Sequence, residues 1–377
     1  MSDLLWIDHP DALRELLERL EDTPCVALDT ESNSMHAYAE RVCLVQLSIP
    51  EEGGATMDAI IDPLAVDIEP LGALLEDAGR RKILHGADYD ILSLKRDYGF
   101  SFANLFDTMI AARVLGWPQY GLGPILSERF DVRPDKRFQR HDWGKRPLPT
   151  DAVEYARNDT CFLPALSDQQ VDELQSRDRL DLFLHACERQ TRVEPQLRAF
   201  DPDGVWRVKG VTELDPQGQA VAKAVFVHRE EVARGLDRPV FKVMGDATLI
   251  ELARRRPRSA AGLRQVAGMG RLWAGGRGHA LARVIAGAME AEPPVMPRPP
   301  AGPPRRVKER YETLRRWRRT YAEQHGFEPD VVLSKQTLWA LAEAAPRDMQ
   351  ALAAVDALDA WERTRYGVEL LQVIGET

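Results

Sequence analysis

Apolar and polar positions divide the chain into two regimes. In the first, compact apolar runs rich in β-formers occur at PCVALDT (24–30), RVCLVQLSI (41–49) and ATMDAIID (55–62). Runs of that length, bounded by polar or turn residues, predict strands of one sheet, the first two joined like a hairpin. Helical periodicity then takes over in IEPLGALLEDAG, DYDILSLKRDYG, FDTMIAARVLG and TDAVEYARNDTCFLPALSDQQVDELQ. Strands followed by helices predict an α/β domain, a mixed sheet flanked by helices. Between the helical stretches, segment 129–150 carries Pro134, Gly144, Pro147 and Pro149. It is long for a plain connection and is a candidate functional loop.

From about residue 205 the pattern is helical only. Two units of similar length, 214–290 and 304–377, are joined by a proline-rich stretch, 291–303, which predicts a stiff, extended linker. The string ATLIELARRRP (247–257) returns as QTLWALAEAAP (336–346), which marks a duplicated module. Two all-α bundles of five helices each would fit, behind an α/β domain over residues 1–205.

Composition narrows the class. With 377 residues, 44% hydrophobic and 29% charged, the chain reads as a soluble protein of two or three domains. Its first residues carry Asp3, Asp8 and Asp11 and lack a cationic segment before an apolar core, so no signal peptide is expected. No run approaches the ~18 apolar residues of a membrane span. Cys25, Cys43, Cys161 and Cys187 are far apart, with no CxxC pair to indicate zinc or a disulfide framework. A reducing cytoplasm is the expected location. The net charge of -9 is uneven: residues 1–200 hold 22 Lys+Arg against 36 Asp+Glu, and residues 201–377 hold 28 against 23. The acidic half argues against a general nucleic-acid coat, and the basic half leaves room for a phosphate-binding attachment.

Candidate chemistry lies in the carboxylates. Along CVALDTES (25–32), alternation puts Asp29 and Glu31 on one face of a strand. HGADYDILSL (85–94) places Asp88 and Asp90 at the start of a helix, and EYARNDTCFL (154–163) sets Tyr155 and Asp159 on one helical face. Four carboxylates converging on one point would be intolerable without cations, and hard divalent ions are their natural partners. Two such ions about 4 Å apart can serve a phosphoryl displacement, and a tyrosine beside them can orient the attacking water. Each piece alone has a plainer reading: a solvated strand end, a helix N-cap at Asp88, a surface Tyr–Asp pair.

Together the pieces match a family. DTE at 29–31, HGADYDI at 85–91 and YARNDT at 155–160 resemble the three exonuclease motifs of the tyrosine-bearing DEDD superfamily. The longer strings DTESNSMHAYAERVCLVQLS and DWGKRPLPTDAVEYARNDTCFL resemble the ribonuclease D family, including the exosome exonuclease and the Werner-syndrome exonuclease domain. The two helical units resemble HRDC domains. This resemblance implies a ribonuclease-H-like fold for residues 1–205, and two magnesium or manganese ions. It implies 3′-to-5′ hydrolysis of an RNA end with release of nucleoside 5′-monophosphates, tRNA precursors being the expected substrates and a monomer the expected state. Asp29, Glu31, Asp90 and Asp159 would hold metal, and Tyr155 would position water. Asp90 is selected over Asp88 because the family's acid directly precedes an apolar residue, here Ile91, which leaves Asp88 as the cap. A Werner-type DNA exonuclease and a non-catalytic RNA-binding protein on the same scaffold are the alternatives.

Nucleic-acid contacts are expected at three places. Loop 129–146 has seven basic residues, Arg137, Arg140 and Arg146 among them, with Phe138 and Trp143 free to stack on bases or, alternatively, packed against the core. Met35, His36 and Tyr38 would border the terminal nucleotide. Residues 254–283 contain eight arginines and no acid, and VAGMGRLWAGGRGHAL (266–281) carries Arg271 and Arg277 on a glycine-rich turn that can approach phosphate. The helix RRVKERYETLRRWRR (305–319), eight basic residues against two acidic, reads either as a contact or as a solvated face.

Overall fold

The computed structural model describes residues 4–133, 135–196, 199–297 and 301–376. Asp3, Pro134 and the linker residues 298–300 lie outside the described residues. In chain order the first domain contains β1 (Leu5–Ile7), α1 (Pro10–Arg19), β2 (Cys25–Ser32), β3 (Val42–Pro50), β4 (Thr56–Ile61), α2 (Leu71–Glu76), β5 (Arg81–Leu84), α3 (Asp88–Tyr98) and β6 (Leu105–Asp107). It continues with α4 (Thr108–Leu115), α5 (Leu122–Arg129), α6 (Thr150–Asn158), α7 (Leu163–Ser176) and α8 (Leu180–Thr191).

The three strands expected from the apolar runs are β2, β3 and β4, an antiparallel meander in a sheet of order β1-β4-β3-β2-β5-β6. β3 is the most apolar because it is covered on both faces: only Pro50 escapes burial. The other three strands pair in parallel outside this meander, β1 on β4, β5 on β2 and β6 on β5. They are three or four residues long, too short to show a period. FDTMIAARVLG therefore begins as β6, and the helix starts only at Thr108. Asp107 caps it, accepting from the amides of Met109 (2.8 Å) and Ile110 (3.2 Å). The long stretch read as one helix from Thr150 is two, broken at Asp159–Phe162.

The first helical unit comprises α9 (Pro216–Gly235), α10 (Val240–Val243), α11 (Asp246–Arg255), α12 (Ala260–Leu263) and α13 (Gly276–Glu290). The second has four helices rather than five: α14 (Arg305–His325), α15 (Lys335–Ala344), α16 (Met349–Ala353) and α17 (Ala360–Gly375), with a single turn at Pro329–Val331 in the place of α10. The first unit also starts earlier than expected. Val205, Val208 and Val211 are buried in its core with Val221, Val225 and Leu281.

The two units attach differently. The second shares one continuous apolar cluster with the sheet domain, running from Ile7 and Leu28 to Leu333, Tyr366 and Ile374. Around it, Arg113 pairs with Asp330, Arg189 with Glu362 and His185 with Asp359. The first unit keeps its own core and meets the sheet domain through a polar seam. Tyr38 donates to Glu230 and receives Arg234 over its ring, its amide donates to Asp237 (3.1 Å), and Lys242 meets His36 (3.1 Å).

Candidate active site

β2 carries Asp29 and Glu31 out of the core on one face, while Thr30 between them is buried. Register with β3 is held by Asp29 opposite Gln46 and Glu31 opposite Leu44, and it slips just after Glu31. Asp159 ends α6, where the helix breaks. Oxygens of Asp29, Glu31 and Asp159 lie within 4.8 Å of one another. Asp90 joins from α3, buried, with one oxygen accepting from the Thr30 amide (3.0 Å) and hydroxyl (2.5 Å). Its orientation is thereby locked to the strand that bears the other two acids.

The two aspartates of α3 face different cavities. Asp90 lines the cleft with Asp29, Glu31, Tyr155 and Asp159, whereas Asp88 lies in a different cavity and accepts from Gln190 (3.1 Å). Asp88 is not the cap. Ala87 occupies that position and has no polar side chain with which to cap the helix. Asp107 reaches across from β6 and accepts from the amides of Gly86 (2.9 Å) and Ala87 (2.8 Å), fixing the turn that aims α3.

Burial raises all four site acids, and repulsion from the other site acids adds to it at Asp29, Glu31 and Asp159. Asp29 and Glu31 are held well above the carboxylate range by burial first and by their acidic neighbours second. Asp90 is pushed up to about 7 by burial, against the Thr30 hydrogen bonds, and Asp159 to about 7 by burial and Asp90. No basic side chain is among the causes for any of the four. Partly buried acids crowded against one another are a donor set for a hard divalent cation. The residues present fit such an ion. Tyr155 is raised as well, by burial and then by Asp159, Glu31 and Asp29, so it stays a neutral phenol at any working pH.

The cleft at these groups, about 710 Å³, is also lined by His85, Gly86 and Tyr89 and by Gly121–Pro124, Ser127, Arg133 and Gln139. Loop 129–146 thus reaches the site, but not with all the residues expected. Trp143 is 1% exposed and packs with Leu44, Ile60 and Ala156, so neither ring face is open to a base. The packed alternative holds. Its ring, like that of Phe138, lies against Tyr155, with centroids 6.2 and 5.8 Å away. Arg146 is committed too: it grips Asp62 and the carbonyls of Cys43, Trp143 and Lys145. Arg137 pairs with Asp135 at the surface, and Arg140 is exposed. His36 and Tyr38 belong to the seam with the first helical unit rather than to the cleft, and Met35 is exposed outside it. Sequence reasoning passed over Tyr89, although it stands inside the string HGADYDI directly before Asp90. It also passed over His85 and Gln139, which no pattern distinguishes.

In the first helical unit Arg271 and Arg277 are exposed around buried Trp273, whose indole donates to the Val243 carbonyl (3.1 Å). Nearby, Arg258, Arg264 and Arg283 line a groove of about 560 Å³ with His279 and no acid.

Comparison with known proteins agrees with this geometry. A 3′-5′ exonuclease family profile matches residues 4–175, and the HRDC domain profile matches twice, at 218–285 and 307–374. Ribonuclease D of Acidiphilium cryptum (strain JF-5) is 34% identical over 307 residues, 79% of this chain and 76% of the relative. That of Granulibacter bethesdensis is 30% identical over 97% of this chain and 91% of the relative. The chain belongs to the ribonuclease D family. As a family member with its acids intact, it is a 3′-5′ exoribonuclease, and the reading as a non-catalytic scaffold falls. Escherichia coli RNase D, described as an exoribonuclease involved in structured RNA processing, superposes over 100% of this chain and 99% of its own with a TM-score of 0.68 at 24% identity, which shows the fold. The catalytic core of RRP6 from Trypanosoma brucei covers 77% of this chain and 80% of its own, at 25% identity and a TM-score of 0.69. Among the described residues no helix is long and apolar enough to cross a membrane.

Proposed function

We propose that the chain shortens RNA from its 3′ end at the acidic cleft, using two magnesium or manganese ions held by Asp29, Glu31, Asp90 and Asp159, and that it releases nucleoside 5′-monophosphates. The observation that carries this reading is the convergence of Asp29, Glu31 and Asp159 within 4.8 Å beside buried Asp90. When bound, the ions supply Lewis-acid stabilisation of charge developing on the scissile phosphate.

The chain's own residues do the rest. Thr30 holds Asp90 in place through two donors. Tyr155, neutral and gripped between Phe138 and Trp143, donates or accepts one hydrogen bond and so fixes the attacking water in line with the phosphate. Arg133, on the cleft wall, offers a fixed positive charge to the phosphodiester. The exposed arginines of the first helical unit, Arg271 and Arg277 with the Arg258–Arg264–Arg283 groove, suit the body of a structured RNA such as a tRNA precursor. Their contribution is salt-dependent by nature.

The test is incubation of purified protein with matched 3′-tailed RNA and DNA, with and without Mg²⁺ or Mn²⁺. Metal-dependent laddering of RNA, abolished in Asp159→Asn, is the expected result. Preference for DNA would turn the reading toward a Werner-type enzyme, and binding without cleavage would overturn it.

A further inference from the structure

Tyr89 stands on the lip of the acidic cleft, one residue before Asp90, with 44% of its surface exposed. An exposed tyrosine on a helix ordinarily keeps its hydroxyl in water. Here the hydroxyl is fixed by two partners. It donates to Glu40 (2.7 Å) and lies 2.9 Å from the hydroxyl of Ser32, the last residue of β2. Glu40 is itself gripped by Arg96, and Arg96 by Asp97 (2.7 Å), whose other oxygen accepts from the Val42 amide (2.8 Å). The ring is therefore anchored through its tip to both strands beside the site, while its body remains open to the cleft.

A purely structural tyrosine tying α3 to β2 would explain the pinned hydroxyl. It would not explain why a tyrosine with 44% of its surface exposed lines the cleft that holds the acids. Immobilised aromatic rings cost little further entropy on binding, and every base has a π-face, so such a platform accepts all four bases without reading sequence. That tolerance is what an enzyme removing successive nucleotides needs. We infer that Tyr89 is the stacking platform for the base of the 3′-terminal nucleotide, holding each new end while its phosphate lies at the acids. The inference rests on the proposed activity at this site.

The experiment is steady-state kinetics on a 3′-tailed RNA oligonucleotide and on the same oligonucleotide ending in an abasic ribose. Tyr89→Ala should raise KM for the normal RNA roughly 10- to 100-fold, with kcat within about threefold, as expected for loss of base stacking felt equally in ground and transition states. Tyr89→Trp should restore KM, which also shows that the helix tolerates substitution. With the abasic end, wild type should lose what Tyr89→Ala loses, and Tyr89→Ala should lose nothing further. A KM for Tyr89→Ala within twofold of wild type, or an abasic penalty that multiplies with that of the variant, overturns the platform while leaving the exonuclease assignment standing. A wild-type protein that leaves RNA intact in both metals overturns the assignment and the platform with it.

Discussion

At the residue scale the four acids carry opposite obligations to folding and to catalysis. Asp90 and Asp159 titrate near 7 in the folded chain, against 3.8 for an ordinary aspartate. Between these values the folded, metal-free protein binds more protons than the unfolded chain, so the site lowers stability progressively as pH rises through that window. The metal-free melting temperature should therefore fall between pH 5 and pH 8 by more than in Asp159→Asn, checked by calorimetry in chelator. At pH 8 that variant should be the more stable by on the order of 1–3 kcal/mol while losing activity at least ~10³-fold. The same protons must leave when a cation binds, so Mn²⁺ affinity measured by titration calorimetry should tighten from pH 6 to pH 8. Tyr155→Phe removes one hydrogen bond and no charge; kcat should drop about 10²-fold with KM nearly unchanged. The carboxylates were legible in the sequence because motif spacing and strand alternation are local. The failures were equally physical. Asp88 looks like a cap until the tertiary partner Asp107 is seen to hold the helix start, and Trp143 looks like a stacking ring until its burial is known.

At the level of elements, the loop between α5 and α6 packs on Tyr155 more than it offers side chains to solvent. Trp143 and Phe138 bracket Tyr155, and the buried Asp62–Arg146 pair ties the loop to β3 and β4. Trp143→Ala should cost ~3–5 kcal/mol by denaturant unfolding and lower kcat with it. Arg137→Ala, at the surface, should change stability by less than ~0.5 kcal/mol. The loop's length and basic character were readable from sequence, but the partition of its residues between packing and solvent was not. Arg137 and Arg146 look alike along the chain, and only the position of Asp62 on the sheet separates them. The short strands β1, β5 and β6 escaped for a related reason: three or four residues carry no period, and their strand state is imposed by neighbours.

For the whole molecule, the two helical units differ in how they are held, which repeat spacing alone does not reveal. The seam to the first unit is polar, built from half-buried Tyr38 and Glu230 and exposed Asp237 and Lys242. The second unit completes an apolar core. Small-angle scattering in rising salt should show the first unit loosening while the second stays docked, because screening weakens only the polar seam. Gly116, at φ +73, lies against the Gly326 carbonyl of the second unit, and any Cβ there would meet it. Gly116→Ala should therefore lower the melting temperature by several degrees, as expected for ~1–2 kcal/mol lost. The shared core also has a meaning during synthesis. Leu314, Leu341, Tyr366 and Ile374 leave the ribosome well after α8, and they cover apolar surface on the sheet domain. At ~5–20 residues per second, the interval lasts roughly ten to thirty seconds. During that time a nascent chain already bears every acid of the site yet lacks its finished interior, so the enzyme matures only once its distal fifth has been made.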